Sequence, residues 1–69
     1  MKITIVNQGM GDCLLGTYHQ SITAPIPQKH SVIDFDDKKY RVVTCEYTVQ
    51  KGPQSTLHYD EVTLFVNNL

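Results

Sequence analysis

YRVVTCEYTVQ, residues 40 to 50, contains no glycine or proline and is rich in β-branched and aromatic side chains. That composition suits a strand lying on a pleated, half-buried surface. From Val43 onward the odd positions are Val43, Cys45, Tyr47 and Val49, and the even ones, starting at Val42, are Val42, Thr44, Glu46, Thr48 and Gln50. Side chains alternate across a strand with a period of two, so this pattern predicts a dry face at Val43, Cys45, Tyr47 and Val49. The wetter face is then Tyr40, Val42, Thr44 and Glu46.

The neighbours of this stretch read as its pairing partners. SVIDF, residues 31 to 35, alternates in the same way, and Asp36, Asp37, Lys38 and Lys39 follow it as a polar turn. Residues 31 to 50 therefore form an expected β-hairpin. The turn has no Gly or Asn, which points away from a two-residue type I′ turn and toward a loop built on a type I turn. On the other side, Lys51, Gly52, Pro53, Gln54 and Ser55 make a second turn, and Thr56 to Val66 return antiparallel. Leu57 and Tyr59 are apolar at odd positions but Val62, Leu64 and Val66 at even ones. An unbroken strand cannot place both sets on one face, so a bulge near Tyr59, Asp60 and Glu61 is expected. Asn67, Asn68 and Leu69 end the strand.

Toward the N-terminus, KITIV at residues 2 to 6 is a short strand with Ile3 and Ile5 on one face, ended by NQGMGD. Gly9 and Gly11 permit positive φ in that loop. Cys13 to His19 is apolar, and Gly16 within it suggests a bulged or bent strand rather than a helix. SITAPIPQKH, residues 21 to 30, carries two of the three prolines and reads as an extended connection along a sheet edge, pinned to the core by Ile22 and Ile26. No window shows helical spacing. The fold class is all-β: one domain over residues 1–69, a five-stranded antiparallel curled sheet or a small SH3-like or OB-like barrel. Its expected core is Ile3, Ile5, Leu14, Ile33, Phe35, Val43, Cys45, Tyr47, Val62, Leu64 and Val66. An open curled sheet that pairs into a homodimer is the alternative.

Size and charge narrow the functional classes. A chain of 69 residues buries only about 60 % of the surface its unfolded form exposes, so stability is marginal and self-association would add to it. An apolar share of 41 % with 19 % charged residues and a net charge of −1 describes a folded domain with no field to gather polyanions. Apolar runs fall far short of the roughly 20 residues of a membrane span, and the N-terminus lacks a signal-peptide pattern. A cytoplasmic protein is expected, with Cys13 and Cys45 as free thiols.

No stretch carries a catalytic, metal or cofactor motif. His19, His30 and His58 with Cys13 and Cys45 lack the spacing of structural zinc ligands. His58 with Asp60 or Glu61 has no nucleophile motif beside it. Asp34, Asp36 and Asp37 begin like a calcium loop, but its sixth and twelfth positions would fall on Lys39 and Cys45 instead of Gly and Glu. Gly9, Gly11 and Gly16 do not match a dinucleotide fingerprint in spacing. Six basic residues with four tyrosines suit single-stranded nucleic acid by composition, yet acidic residues sit beside many of them. A polar rim around a protein-binding face accounts for the same residues better.

The order of an MKITIV start, an APIP proline pair, the hairpin VIDFDDKKYRVVTCEY and a closing DEVTLFV resembles the very small SH3-like β-barrel accessory proteins of bacteriophages and other mobile elements. The resemblance spans nearly the whole chain as a pattern of strands and turns, and it assigns no functional residues. It implies a non-enzymatic accessory that binds a host or phage protein and modulates it. The expectation is thus a protein-interaction module without cofactor, with Tyr40, Val42, Thr44, Glu46, Tyr59 and Phe65 as partner-binding residues. A small-barrel binder of single-stranded nucleic acid is the alternative, and an enzyme ranks last.

Overall fold

The computed structural model describes residues 1–21, 23–51 and 57–69, with the side chains of all of these but 50, 51 and 57–60. The strands are β1 (Lys2–Asn7), β2 (Cys13–His19), β3 (Val32–Phe35), β4 (Lys38–Lys51) and β5 (Leu57–Asn68). They form one sheet in the order β2-β1-β5-β4-β3, curled into a half-barrel. The all-β class and the five curled strands match the sequence reading, but the sheet is mixed. β1 runs parallel to β5, while β1–β2, β3–β4 and β4–β5 are antiparallel. KITIV and VTLFV alternate in the same way, so parallel register sets Ile3 opposite Val62 and Ile5 opposite Leu64 on one face. Both apolar sets are then buried together.

The core is the concave side of that sheet. Ile3, Ile5, Tyr40, Val42, Val62, Leu64 and Val66 are buried, and Met1, Leu15, Tyr18, Ile26, Ile33, Phe35 and Cys45 pack against them. Each fully buried Val, Leu or Ile contributes about 1.5–3 kcal/mol of transfer free energy, which is most of what opposes chain entropy in a domain this small.

Three bulges decide which residues reach the core. Between β1 and β2 the register passes from Ile5↔Gly16 to Val6↔Leu14, so Leu15 is the extra residue. This is the bulge expected beside Gly16, and it turns Leu14 out to 62 % exposure while Leu15 packs on the core. Leu14 is therefore not a core residue. Between β4 and β5 the register passes from Thr48↔Glu61 to Val49↔Tyr59, leaving Asp60 as the extra residue, where the change of apolar phase in β5 requires it.

The third bulge corrects the reading of YRVVTCEYTVQ. Val42 faces Val66 and Thr44 faces Phe65, so Val43 is an extra residue in β4. The strand changes phase there: Tyr40 and Val42 point into the core before the bulge, and Cys45 faces Leu64 on that same side after it. Tyr40 is 5 % exposed and Val42 fully buried, so neither belongs to a wetter face. Val43 is only half-buried. Farther along, Tyr47 at 40 % and Val49 at 49 % exposure lie on the core side of β4 without being core residues.

The β3–β4 turn also differs from expectation. Phe35 pairs directly with Lys38, and the two residues between them, Asp36 and Asp37, have φ of 54° and 64°. Two left-handed residues in a two-residue hairpin make a type I′ turn, whose twist matches that of the strands. Asp enters this region at lower cost than most residues, and the Lys39–Asp34 ion pair at 3.2 Å spans the adjacent strands. Replacing Asp36-Asp37 with Asn-Gly removes the remaining strain. Expected is a stability gain of about 1 kcal/mol, read in thermal unfolding as a rise of roughly 4–8 °C in Tm.

The connection from β2 to β3 carries the chain from one edge of the sheet to the other. The Met1 ammonium donates to the Gln20 carbonyl at 3.0 Å, and Gln20 N–H donates back to Met1. Ile26 packs on the core, and the Cys45 thiol donates to the Pro27 carbonyl at 3.1 Å. His30 and Ser31 then exchange backbone hydrogen bonds with Val42, each of 2.8 Å, and lead into β3. Ile26 thus serves as the expected pin, whereas Ile22 and the turn at residues 52–55 lie outside the described residues. The NQGMGD loop holds a short 3-10 turn over Gln8–Met10, capped by the Asn7 side chain and closed by Gly11 at φ 73°.

The edge strands β2 and β3 approach each other across the open side of the half-barrel. An added Cβ at Gly16 would lie 2.6 Å from Phe35 Cζ, so the aromatic ring of β3 rests against bare backbone of β2. That contact draws the two edges together. Below it, Ile5, Tyr18, Ile33, Asp34 and Phe35 line a cleft of about 420 Å³.

Candidate functional site

The convex face is built from the residues that alternate with the core. Register aligns Thr17, Thr4, Thr63 and Glu46 in one row across β2, β1, β5 and β4. The flanking row toward one end is His19, Lys2, Glu61 and Thr48, and the one toward the other end is Leu14, Val6, Phe65 and Thr44. The first two rows are polar, and Thr4 Oγ1 donates to Glu61 Oε1 at 2.9 Å across them. The third is apolar over three adjacent strands: Val6 and Phe65 are half-buried and Leu14 is exposed. At that end, on the core side of the sheet, the buried Asn7 donates through Nδ2 to Asn68 Oδ1 at 3.0 Å.

The expected partner-binding residues divide accordingly. Thr44, Glu46 and Phe65 come together on the convex face, Thr44 beside Phe65 and Glu46 beside Thr63. Tyr40 and Val42 are core residues and present nothing to a partner. The side chain of Tyr59 lies outside the described residues, as does the pairing of His58 with Asp60. Sequence reasoning misses Leu14 and Val6 as members of this surface. A signal for Leu14 is present in CLLG, residues 13 to 16: of two adjacent leucines in a strand only one can face the core, and a bulge decides which.

Among the described residues, basic side chains do not converge on a stripe. Lys2 sits between His19 and Glu61 on the convex face, Lys39 is engaged by Asp34, and Lys38 and Lys39 line a shallow cleft of about 380 Å³ with Asn68 and Leu69. Among the described residues, no three His, Cys, Asp or Glu side chains gather as metal ligands. No described helix is long and apolar enough to cross a membrane.

The two cysteines differ in surroundings. Cys13 is exposed and Cys45 half-buried, and both are free thiols. Burial pushes the Cys45 thiol above its ordinary pKa, and burial acts likewise on the Tyr18 hydroxyl. A thiol raised in the folded state stays neutral where the unfolded chain already ionises, so its contribution to stability falls as pH rises through the ordinary thiol range. Expected with Ellman's reagent at mildly alkaline pH is one fast thiol, Cys13, and one slow, Cys45. Cys45 is half-buried with its thiolate disfavoured, so it reacts more slowly, and denaturant should merge the two phases.

The fold and the surface together define a small mixed-sheet half-barrel with one apolar row on its convex face. Comparison with protein-family models, curated proteins and solved structures returns no match.

Proposed function

We propose that this chain is a non-enzymatic protein-interaction module, an accessory that binds and modulates a larger protein through its convex face. The observation that carries this reading is the row Leu14–Val6–Phe65, apolar across three strands and flanked by Thr and Glu side chains. An apolar centre with a polar rim is the anatomy of a protein-binding patch, and an aromatic residue such as Phe65 is a common anchor in one. The accessory role rests on the resemblance to small mobile-element barrels. The scattered lysines weigh against a polyanion partner, because phosphate binding draws on several uncompensated cations in one groove.

The test compares immobilised wild type with Leu14→Glu, a change at an exposed position that leaves the core untouched. A partner held by the wild type and lost by Leu14→Glu, with circular dichroism unchanged, supports the proposal. Equal retention by both overturns it. So does salt-sensitive binding of single-stranded oligonucleotides by both.

A further inference from the structure

The convex face continues past its apolar row. Arg41 pairs with Asn67 on β5 and with Val32 on β3, so Asn67, Arg41 and Val32 form a further row beyond Leu14, Val6, Phe65 and Thr44. Each alternates with residues that lie in the core or pack on it: Asn67 with Val66, Arg41 with Tyr40 and Val42, and Val32 with Ile33. On β4 the apolar row is therefore bracketed by opposite charges, with Glu46 one row to one side and Arg41 one row to the other. Both side chains are exposed. Among the described residues neither has an ion pair or a side-chain hydrogen bond, whereas Lys39 and Asp34 have each other.

We infer that this face packs against a second copy of itself, sheet on sheet, about a two-fold axis that runs along the apolar row. Such an axis lays each strand over its own counterpart with the direction reversed. The row Leu14, Val6, Phe65 and Thr44 then lies on the same row of the second copy, and the rows on its two sides exchange. Glu46 thereby meets Arg41 of the second copy, and Arg41 meets its Glu46. One axis thus covers the apolar row and closes two ion pairs between charges that the single chain leaves unmatched. The contact is isologous and closes as a dimer.

Sheets stacked face to face keep their strand directions within about 30° of each other, which this arrangement allows. An axis along the strands, between β1 and β5, would instead set Leu14 against Thr44 and Glu46 against Thr17. It would match only Lys2 with Glu61, a carboxylate that already accepts from Thr4. Two convex faces touch along a stripe, here β5 with its neighbours β1 and β4, and the long side chains of Glu46 and Arg41 reach across the gap that widens beside it. A stripe of this kind makes a small and weak interface. The dimer rests on the same apolar row as the function proposed above, so a protein partner and a second copy compete for it. Its test uses this chain alone, and either reading can fail without the other.

Sedimentation equilibrium of the full chain provides the test. Wild type should approach the mass of two chains at high micromolar concentration and fall to one on dilution. Glu46→Arg and Arg41→Glu each bring like charges together twice across the axis, and each should weaken association by about tenfold or more, with circular dichroism unchanged. Mixed in equal amounts, the two variants re-form both ion pairs in a heterodimer and should regain the mass of two chains. Lys29→Glu, a charge reversal at an exposed position on the β2–β3 connection, should associate as wild type does. Glu46→Gln and Arg41→Gln, which also weaken association, stand in for a reversal that does not fold. A wild type that stays monomeric overturns the inference. Undiminished association of the single variants does so too, as does a mixture of the reversals that fails to pair, or an equal loss in Lys29→Glu.

Discussion

Val42→Asp unfolds the domain at neutral pH, and Thr44→Asp, two positions along the same strand, leaves it folded. The two would behave alike if β4 alternated without interruption, because both positions would then face water. The bulge at Val43 separates them: Val42 faces Val66 in the core, while Thr44 faces Phe65 on the convex side and is exposed. Losing the buried valine costs about 1.5–3 kcal/mol in transfer free energy. Desolvating a carboxylate with no cation beside it adds several kcal/mol more. A typical domain has roughly 0.05–0.15 kcal/mol of stability per residue, or about 3–10 kcal/mol at this length, so the combined cost removes the folded state. Thr44→Asp belongs with exposed substitutions, which usually change stability by no more than about 0.5 kcal/mol. Far-ultraviolet circular dichroism of the two variants decides the matter. A folded, cooperatively melting Val42→Asp would refute the buried placement of Val42.

How much of this was legible beforehand depends on where apolar phase changes appear in the chain. In β5 the switch from Leu57 and Tyr59 to Val62, Leu64 and Val66 is spread over several residues and marks the bulge at Asp60 plainly. In β4 the same switch is compressed into the adjacent pair Val42-Val43, which looks like an ordinary feature of a β-branched run. Tyr40 before it and Cys45 after it are the phase markers. The I′ turn was obscured for another reason. Left-handed backbone is normally announced by Asn or Gly, and Asp36-Asp37 adopts it because strand twist sets the turn geometry. Strand order was out of reach of pattern reasoning, since the parallel β1–β5 pair joins the two ends of the chain and leaves no local mark.

The surface was legible only in part. Thr44, Glu46 and Phe65 are adjacent across β4 and β5, and alternation places them correctly once the bulge phase is known. Val6 joins them only because β1 lies beside β5, and Leu14 only because the bulge at Leu15 turns it outward. The apolar row is thus a product of topology, assembled from positions far apart in the chain.

Gly16→Ala destabilises the domain, against the direction that strand propensity alone predicts. In a strand, exchanging glycine for alanine ordinarily gains about 0.5–1 kcal/mol by restricting the unfolded chain. Here the new Cβ meets Phe35 Cζ at 2.6 Å and Cε1 at 3.3 Å, and the Phe35 ring, packed against the core, must tilt or the β2 and β3 edges must part. Overpacking of this kind costs about 1–3 kcal/mol, which exceeds the entropic gain and leaves a net loss of roughly 0.5–2 kcal/mol. Gly16→Val should lose more. The cause is separable from a backbone effect by a double-mutant cycle with Phe35→Leu, which shortens the side chain that reaches Gly16. If the ring is the obstacle, Gly16→Ala in the Phe35→Leu background is close to neutral or stabilising, and the coupling amounts to about 1 kcal/mol or more. Denaturant midpoints for the four proteins give that coupling. Additive losses would mean that Phe35 does not close the half-barrel over Gly16, and the seam between the two edge strands would then owe its approach to the β2–β3 crossover, whose Ile26 also packs on the core.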